Sequence, residues 1–566
     1  MEEKLFNLQS EPWIKVLKED NSQATVSLLD VFRHAHQFKG LSGEMPAQDI
    51  AVLRFLLAIL YAVFVRQDEE GSTKLLKSDV DAADRWRTLW QRGSFPNEVI
   101  EKYLQSWGDR FWLFHPEHPF LQTPVRENSV RVDADTVIMP TNKPIGALVG
   151  DIAESSNKIR LFLSRRIDAG IPFDEAARWL LFLNAFDTAP AGAPGDRKTG
   201  WRVKGFGTGW LSKLGLVWVT GNNLFETLML NFPLHSESIV WNTCVPEWEK
   251  SAKFEPATLM DMAPPFPSDL CALYTMPFRS IRLINDADNA FVTGYDLWSG
   301  KALSPENAFM EPMTIWRKSK EGYLPKLHDP SRKMWRDFSA ILPAGDQNEH
   351  VPGVIKWLAD LSENTDVVLP SLKLSILGIS YTNNTAFEHI FSDTLMVNAK
   401  MLGKLGTAWQ PRINQILQET NRLVYLLVEL DRNLRKAAGD GDDARKIENA
   451  VAGAFFALDE PFRLWLESIQ PETDDMDTRC SAWLYQAKRI IRQIGEEMAL
   501  MAGPAAIVGR VLQEDVNTER KIANQVFSNI ESGYDIRLPK AGANTQKAPK
   551  RYTSAEAINR FMYKTA

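Results

Sequence analysis

From about residue 395 to the C-terminus, apolar residues recur three and four positions apart, and short polar links divide the pattern into segments. A strand cannot bury such a face, because its side chains alternate with a period of two. In INQILQETNRLVYLLVELDRNL, Ile413, Ile416, Leu417, Leu423, Val424, Leu427, Leu430 and Leu434 fall on one helical face. IENAVAGAFFALDEPFRLWL repeats the face with Ile447, Val451, Phe455, Leu458, Phe462 and Trp465, and WLYQAKRIIRQIGEEM with Leu484, Ala487, Ile491, Ile494 and Met498. A further helix is expected over about 504–530, and TSAEAINRFMYK opens on a Thr553-x-x-Glu556 capping box. Links as short as AAGDGDD and PETDDMD make neighbouring helices antiparallel. Residues 395–566 therefore read as an antiparallel four-helix bundle.

Residues 1–394 have a different texture. A 566-residue chain exceeds one ordinary core, so at least two domains are expected. IKVL and ATVSLL look like paired strands, QDIAVLRFLLAILYAVFVRQ like a helix, LGLVWVTG (214–221) like a strand and NLFETLMLNF (223–232) like a helix. Long Gly- and Pro-punctuated loops separate them, and such loops tend to carry function. The expected fold class is α+β, a large irregular mixed domain followed by the bundle. The apolar run FLLAILYAVFV (55–65), bounded by Arg54 and Arg66, is too short to cross a bilayer and reads as a buried helix. MEEKLFNLQSEPW lacks the basic start and apolar run of a secretion signal. Cys244, Cys271 and Cys480 are far apart and give neither a disulfide nor a zinc framework. The expectation is a cytoplasmic protein with no membrane partner, metal or cofactor.

A formal net charge of −7 argues against a uniformly basic nucleic-acid binder and leaves local patches to decide. GDRKTGWRVKGFGTGW (195–210) holds five glycines and four basic residues against the single acid Asp196. Residues 156–213 hold ten Lys or Arg against five Asp or Glu. The stretch is not a P-loop, since Trp201 follows Gly195 and Gly200 where a lysine belongs. Nor is it a dinucleotide fingerprint, since no apolar strand leads into Gly205, Gly207 and Gly209. One reading is a surface loop. The other is a loop that lays its main chain against DNA or RNA, because glycine permits close approach and Arg and Lys neutralise phosphates.

No enzymatic constellation accompanies the patch. His115 and His118 in FHPEHPF have metal-ligand spacing but no third ligand, and two prolines favour a structural turn. His34 and His36 do not share a helical face, and neither GxSxG nor HExxH occurs. From Ile536 onward seven basic residues face Glu556 alone, which fits a solvated tail or a strip along a nucleic-acid backbone.

Four segments in order, FNLQSEPWIKV, FWLFHPEHPFLQ (111–122), NAFDTAPAGAPGDRKTGWRVKGFGTGW and NLFETLMLN, resemble the CasA family, the large subunit of the type I-E CRISPR surveillance complex, Cascade. The resemblance spans nearly the whole chain, bundle included. It implies a non-catalytic subunit that recognises a short protospacer-adjacent motif (PAM) in duplex DNA and helps open the duplex, while guide-RNA pairing reads the sequence. The implied partners are the guide RNA, double-stranded target DNA, the backbone, small and RNA-end-binding subunits, and a recruited helicase-nuclease. The bundle is implied to contact the small subunits and the displaced strand.

Carried over residue by residue, the family's glycine loop resembles part of 192–209. Its register is open between GAPG, with Gly192 and Gly195, and GFGTG, with Gly205, Gly207 and Gly209. Lys198, Arg202 and Lys204 lie between them as phosphate contacts. NKIRLFLSRR resembles the loop that touches guide RNA and neighbouring subunits, with Phe162, Ser164 and Arg165; the family often has Asn where Ser164 stands. YTNNTAF resembles the strand-separating wedge, with Asn383, Asn384, Thr385 and Ala386, and Thr385 replaces the glutamine of well-known relatives. Lys301 matches a lysine that enters the minor groove, or is one more solvated lysine. The paired CxxC zinc ligands of some relatives have no counterpart. Minor-groove readout suits a short tolerant motif, since that groove mainly separates A·T from G·C. Two other function classes compete: a metal-dependent nuclease with dispersed carboxylates, and a scaffold that joins proteins without touching DNA.

Overall fold

The computed structural model describes residues 5–123, 130–131, 137–138, 141–149, 170–188, 207–234, 244–250, 267–300, 303, 305–320, 322–342, 350–369, 371–382, 386–439, 444–512 and 550–566. Two compact units divide the chain, Met1–Lys404 and Leu405–Ala566. The strand Ala386–Val397 runs across position 394, so the change of sequence texture falls inside the last hairpin of the first unit.

The first unit is built around the helix Pro46–Phe64. Proline suits its first turn, where the missing N–H has no partner to lose. A helix apolar on every side requires burial on every side, and each residue from Ile50 to Phe64 is buried. It packs against the helices Phe173–Phe186 and Leu270–Thr275. Among the described residues it is the one helix long and apolar enough to cross a membrane, and its burial makes it a core element. The predicted strand pair is present, with Ile14–Lys18 antiparallel to Gln23–Val26 and also to Phe38–Leu41.

Two sheets position the candidate site. Leu216–Thr220, Leu372–Thr382 and Ala386–Val397 form an antiparallel sheet in that order, and 383–385 connect its last two strands. Arg279–Asn285, Phe291–Gly300 and Thr141–Pro144 form a second sheet in that order, and Ile171–Pro172 also pairs with Phe291–Gly300.

The second unit holds the helices Lys404–Ala438, Ala444–Glu467, Met476–Met501 and Ser554–Thr565. The face predicted for the first of them, from Ile413 to Leu434, is buried. In the third, Ala487 and Ile491 are buried as predicted, but Cys480, Trp483 and Gly495 complete the face in place of Leu484, Ile494 and Met498. Two contacts turn the helix this way. Trp483 donates its Nε1–H to Thr420 Oγ1 at 2.9 Å, and the Phe561 ring fills the space that a Cβ on Gly495 would need.

The helix expected over 504–530 does not run unbroken from its start, and its stretch 513–530 lies outside the described residues. The helix Gly503–Val508 stops at Gly509, whose φ is +72°, and Arg510–Leu512 then pairs antiparallel with Lys550–Tyr552. A left-handed glycine ends the helix and the ladder satisfies the backbone that follows. Thr553 caps the last helix, accepting the Glu556 N–H at 3.1 Å. Part of the C-terminal positive charge has internal partners, since Lys550 pairs with Glu556 at 3.0 Å and Lys564 with Glu429 at 2.7 Å.

Candidate nucleic-acid interface

Gly192, Gly195, Lys198, Arg202, Lys204, Gly205, Lys301, Asn383, Asn384, Thr385, Phe162, Ser164 and Arg165 lie outside the described residues. The residues that carry these stretches are described, and they meet.

The helix Phe173–Phe186 ends where Asp187 leaves helical geometry, and the chain passes through Thr188 toward the glycine run and returns at Gly207. Exit and return are tied together, because the Gly209 N–H donates to the Asp187 carbonyl at 2.8 Å. Arg279, 1% exposed, closes the base of the run. Its Nε donates to Asp187 Oδ2 at 2.9 Å and its Nη2 to the Gly207 carbonyl at 2.8 Å. Its backbone N–H donates to Asn184 Oδ1 at 3.2 Å. A buried guanidinium bonded to both a carboxylate and a carbonyl fixes direction as well as distance.

Both described glycines of the run are required here. Gly207 has a φ of +70°, and a Cβ on Gly209 would overlap the Ala185 carbonyl. Gly209→Ala is therefore expected to lower stability by about 1–3 kcal/mol, as overpacking does. Chemical denaturation of the purified chain measures this, and an unchanged midpoint would contradict the close approach.

The other stretches leave from the same cluster. Gly300 pairs with Arg279 in the strand ladder, so Lys301 follows directly on the residue opposite this arginine. Tyr381 donates its hydroxyl to the Phe186 carbonyl at 2.6 Å, two residues before 383–385 begins. Ala386 reopens the ladder opposite Thr382. The segment 150–169, which contains Phe162, Ser164 and Arg165, follows Val149 and ends at Gly170. Gly170 has a φ of +105°, and a Cβ there would lie 2.6 Å from the Val292 carbonyl. The flanking strands Thr141–Pro144 and Ile171–Pro172 both pair with Phe291–Gly300, the strand that ends beside Lys301.

Burial, and then the neighbouring Arg279 charge, lowers the Lys213 ammonium from its ordinary value. Burial, and then the Asp187 carboxylate, raises the Tyr295 phenol. Asp187, Arg279 and Tyr381 are residues that sequence patterning misses. The available signal is a single acid at the end of a helix, directly before a basic glycine-rich run.

His115 belongs to a turn, its Nδ1 accepting the N–H groups of Glu117 at 3.0 Å and His118 at 2.8 Å. The fold does bring together Cys244, Asp269 and Cys271, all buried, with ligand atoms within 4.8 Å of one another. Among the described residues, this group could hold a metal ion. Their present bonds are structural. Asp269 Oδ1 accepts the Ala272 N–H at 2.9 Å, the Cys271 thiol faces the Ala58 carbonyl at 3.6 Å, and burial pushes that thiol well above its ordinary range.

The family profile described as CRISPR-associated protein Cse1 matches residues 7–494. A CasA/Cse1 protein of Thermus thermophilus is 31% identical over 349 residues, which span 60% of this chain and 60% of that protein. The crystal structure of Thermobifida fusca Cse1 superposes with a TM-score of 0.76 at 27% identity, over 99% of this chain and 97% of that one. A chain of a CRISPR RNA-guided surveillance complex shares the fold with a TM-score of 0.64 at 19% identity, over 88% of this chain and 99% of that one.

Proposed function

The chain belongs to the CRISPR-associated Cse1 family, and from that premise we propose that it is the large, non-catalytic subunit of a type I-E RNA-guided surveillance complex. In this role it recognises the PAM in duplex DNA, promotes strand separation and R-loop formation, and recruits a helicase-nuclease. Its partners are the guide RNA, the target duplex and the other subunits. The observation that carries the reading is the convergence at Asp187 and Arg279. Stretches 189–206, 301–302 and 383–385, over a hundred residues apart at their extremes, are all carried by residues joined through this one ion pair and its neighbours. A glycine-rich run, a lysine and a polar connection whose flanking residues are joined suit a ligand read by shape and then opened.

In this reading, Lys198, Arg202 and Lys204 neutralise phosphates while the glycines admit the backbone, and Phe162, Ser164 and Arg165 face guide RNA and neighbouring subunits. Replacing Lys198, Arg202 and Lys204 by Ala is expected to flatten the salt dependence of target binding by the assembled complex. Each lost phosphate contact lowers the log–log slope by about 0.9, so the triple variant should lose roughly 2.7. An unchanged slope would assign these side chains elsewhere. Cleavage of labelled DNA by the purified chain with Mg²⁺ alone would overturn the non-catalytic role.

A further inference from the structure

Cys244, Asp269 and Cys271 meet where the main chain is already tied down. The Thr275 hydroxyl donates to the Cys271 carbonyl at 2.6 Å and accepts the Glu247 N–H at 2.9 Å, which joins the helix Leu270–Thr275 to the segment carrying Cys244. Arg66 Nη2 donates to the Cys244 carbonyl, and its Nη1 donates to Glu249 Oε2 at 2.9 Å. Asp269 is oriented through both oxygens, Oδ1 accepting the Ala272 N–H and Oδ2 the Ser268 hydroxyl, each at 2.9 Å. Both cysteines are 0% exposed and Asp269 1%.

The chemistry of the group is that of a thiophilic cation site. A buried carboxylate is costly unless its lone pairs are used, and two hydrogen bonds take only about half of the four lone-pair sites on Asp269. Three ligand atoms within 4.8 Å of one another share a point no farther than about 2.8 Å from each. Zinc bonds run to about 2.3 Å for sulfur and about 2.0–2.2 Å for a carboxylate oxygen, so closing the set takes shifts of about 0.5–0.8 Å, within reach of small side-chain rotations. Two thiolates beside one carboxylate select zinc over magnesium or calcium, which take oxygen ligands. The Ala58 carbonyl, 3.6 Å from the Cys271 sulfur, offers a fourth oxygen. A set with every ligand buried is of the closed, structural kind rather than the catalytic kind, which keeps an open position.

We propose that Cys244, Asp269 and Cys271 form a structural zinc site that clips the segment carrying Cys244 to the helix Leu270–Thr275, against the core helix Pro46–Phe64. Each thiol gives its proton to solvent as its Zn–S bond forms. Neither cysteine belongs to a CxxC pair, so spacing in the sequence gives no sign of the site. The helix Leu270–Thr275 leads into the strand that starts at Arg279, so the clip orders the chain entering that strand. The site stands apart from the nucleic-acid reading above and does not depend on it.

The test uses the purified full chain under a phosphine reductant, stripped of metal with a chelator and dialysed, with Zn²⁺, Co²⁺ and Mg²⁺ as probes. One Zn²⁺ per chain is expected to be retained on dialysis, and Co²⁺ should give the near-ultraviolet absorption of a cobalt–thiolate bond. At a hundredfold excess over Kd, Zn²⁺ should raise the Tm of the first unit by about 3 °C, and Mg²⁺ should leave it unchanged. Cys244→Ala and Cys271→Ala should each lose the cobalt band and the zinc shift. Asp269→Asn keeps the cap, because asparagine caps as well as aspartate. It should still weaken zinc binding by about tenfold or more, the loss found even for groups that only support a ligand. Cys480→Ala, in the second unit, should change neither readout. Each readout is the difference that metal makes within one variant, so a lower starting Tm does not obscure it. A parent chain with neither band nor shift would overturn the proposal, as would a band that survives either Cys244→Ala or Cys271→Ala, or one lost in Cys480→Ala.

Discussion

Arg279→Met is expected to destabilise the first unit by about 3–5 kcal/mol, the cost of removing one partner from a buried ion pair. Methionine matches the length of the arginine stem, so the loss is electrostatic rather than a cavity. Asp187, 8% exposed, would be left as a buried carboxylate without its cation, and the Gly207 carbonyl without its donor. The double variant Asp187→Asn, Arg279→Met should recover much of the stability, because removing both charges eliminates the unpaired one. It should not recover target binding, because the Gly207 end of the glycine run still lacks its guanidinium. Denaturant unfolding of the purified chain gives the first quantity and PAM-duplex binding by the assembled complex the second. A single variant within about 0.5 kcal/mol of the parent, the range of an ordinary surface change, would mean that the pair does not hold the site together.

What could be read from the sequence follows the range over which each signal acts. Helical faces are local, so the burial of Ile413, Ile416 and Leu427 is visible in the spacing alone. The third helix shows the limit, because which of two adjoining stripes faces inward was decided by Thr420 and Phe561 on other helices. The helix expected from 504 is interrupted at Gly509, where one residue with positive φ outweighs the apolar pattern around it. The basic glycine run is also visible locally as composition. Its anchor is not, because Asp187 and Arg279 lie 92 positions apart and neither has a motif. The same holds for Cys244, Asp269 and Cys271, scattered in sequence and adjacent in the core. Resemblance to a family supplied the roles that patterning could not, and the fold joined the described residues that flank those stretches.

The variant Asn384→Ala, Thr385→Gly is expected to separate duplex opening from duplex docking. Forcing apart a base step costs a few kcal/mol, and a wedge can supply that only if its base does not yield. The base here is stiff. Strands Leu372–Thr382 and Ala386–Val397 pair along nearly their whole length, and the Tyr381 hydroxyl braces the end of the hairpin against the Phe186 carbonyl. Asn at such a turn can bond base edges or its own backbone, and removing that polarity leaves the ladder untouched. On a target already opened beside the PAM, the variant should bind within about twofold of the parent. On a closed duplex it should lose stable R-loop formation by roughly thirtyfold, equivalent to about 2 kcal/mol of the unstacking cost. Tyr381→Phe, which removes only the brace, should show the same selectivity with a smaller loss. Permanganate footprinting of thymines beside the PAM reports opening directly, and filter binding reports docking. Equal losses on the two targets would mean that 383–385 contributes affinity alone, and strand separation would then have to be assigned to another part of the chain.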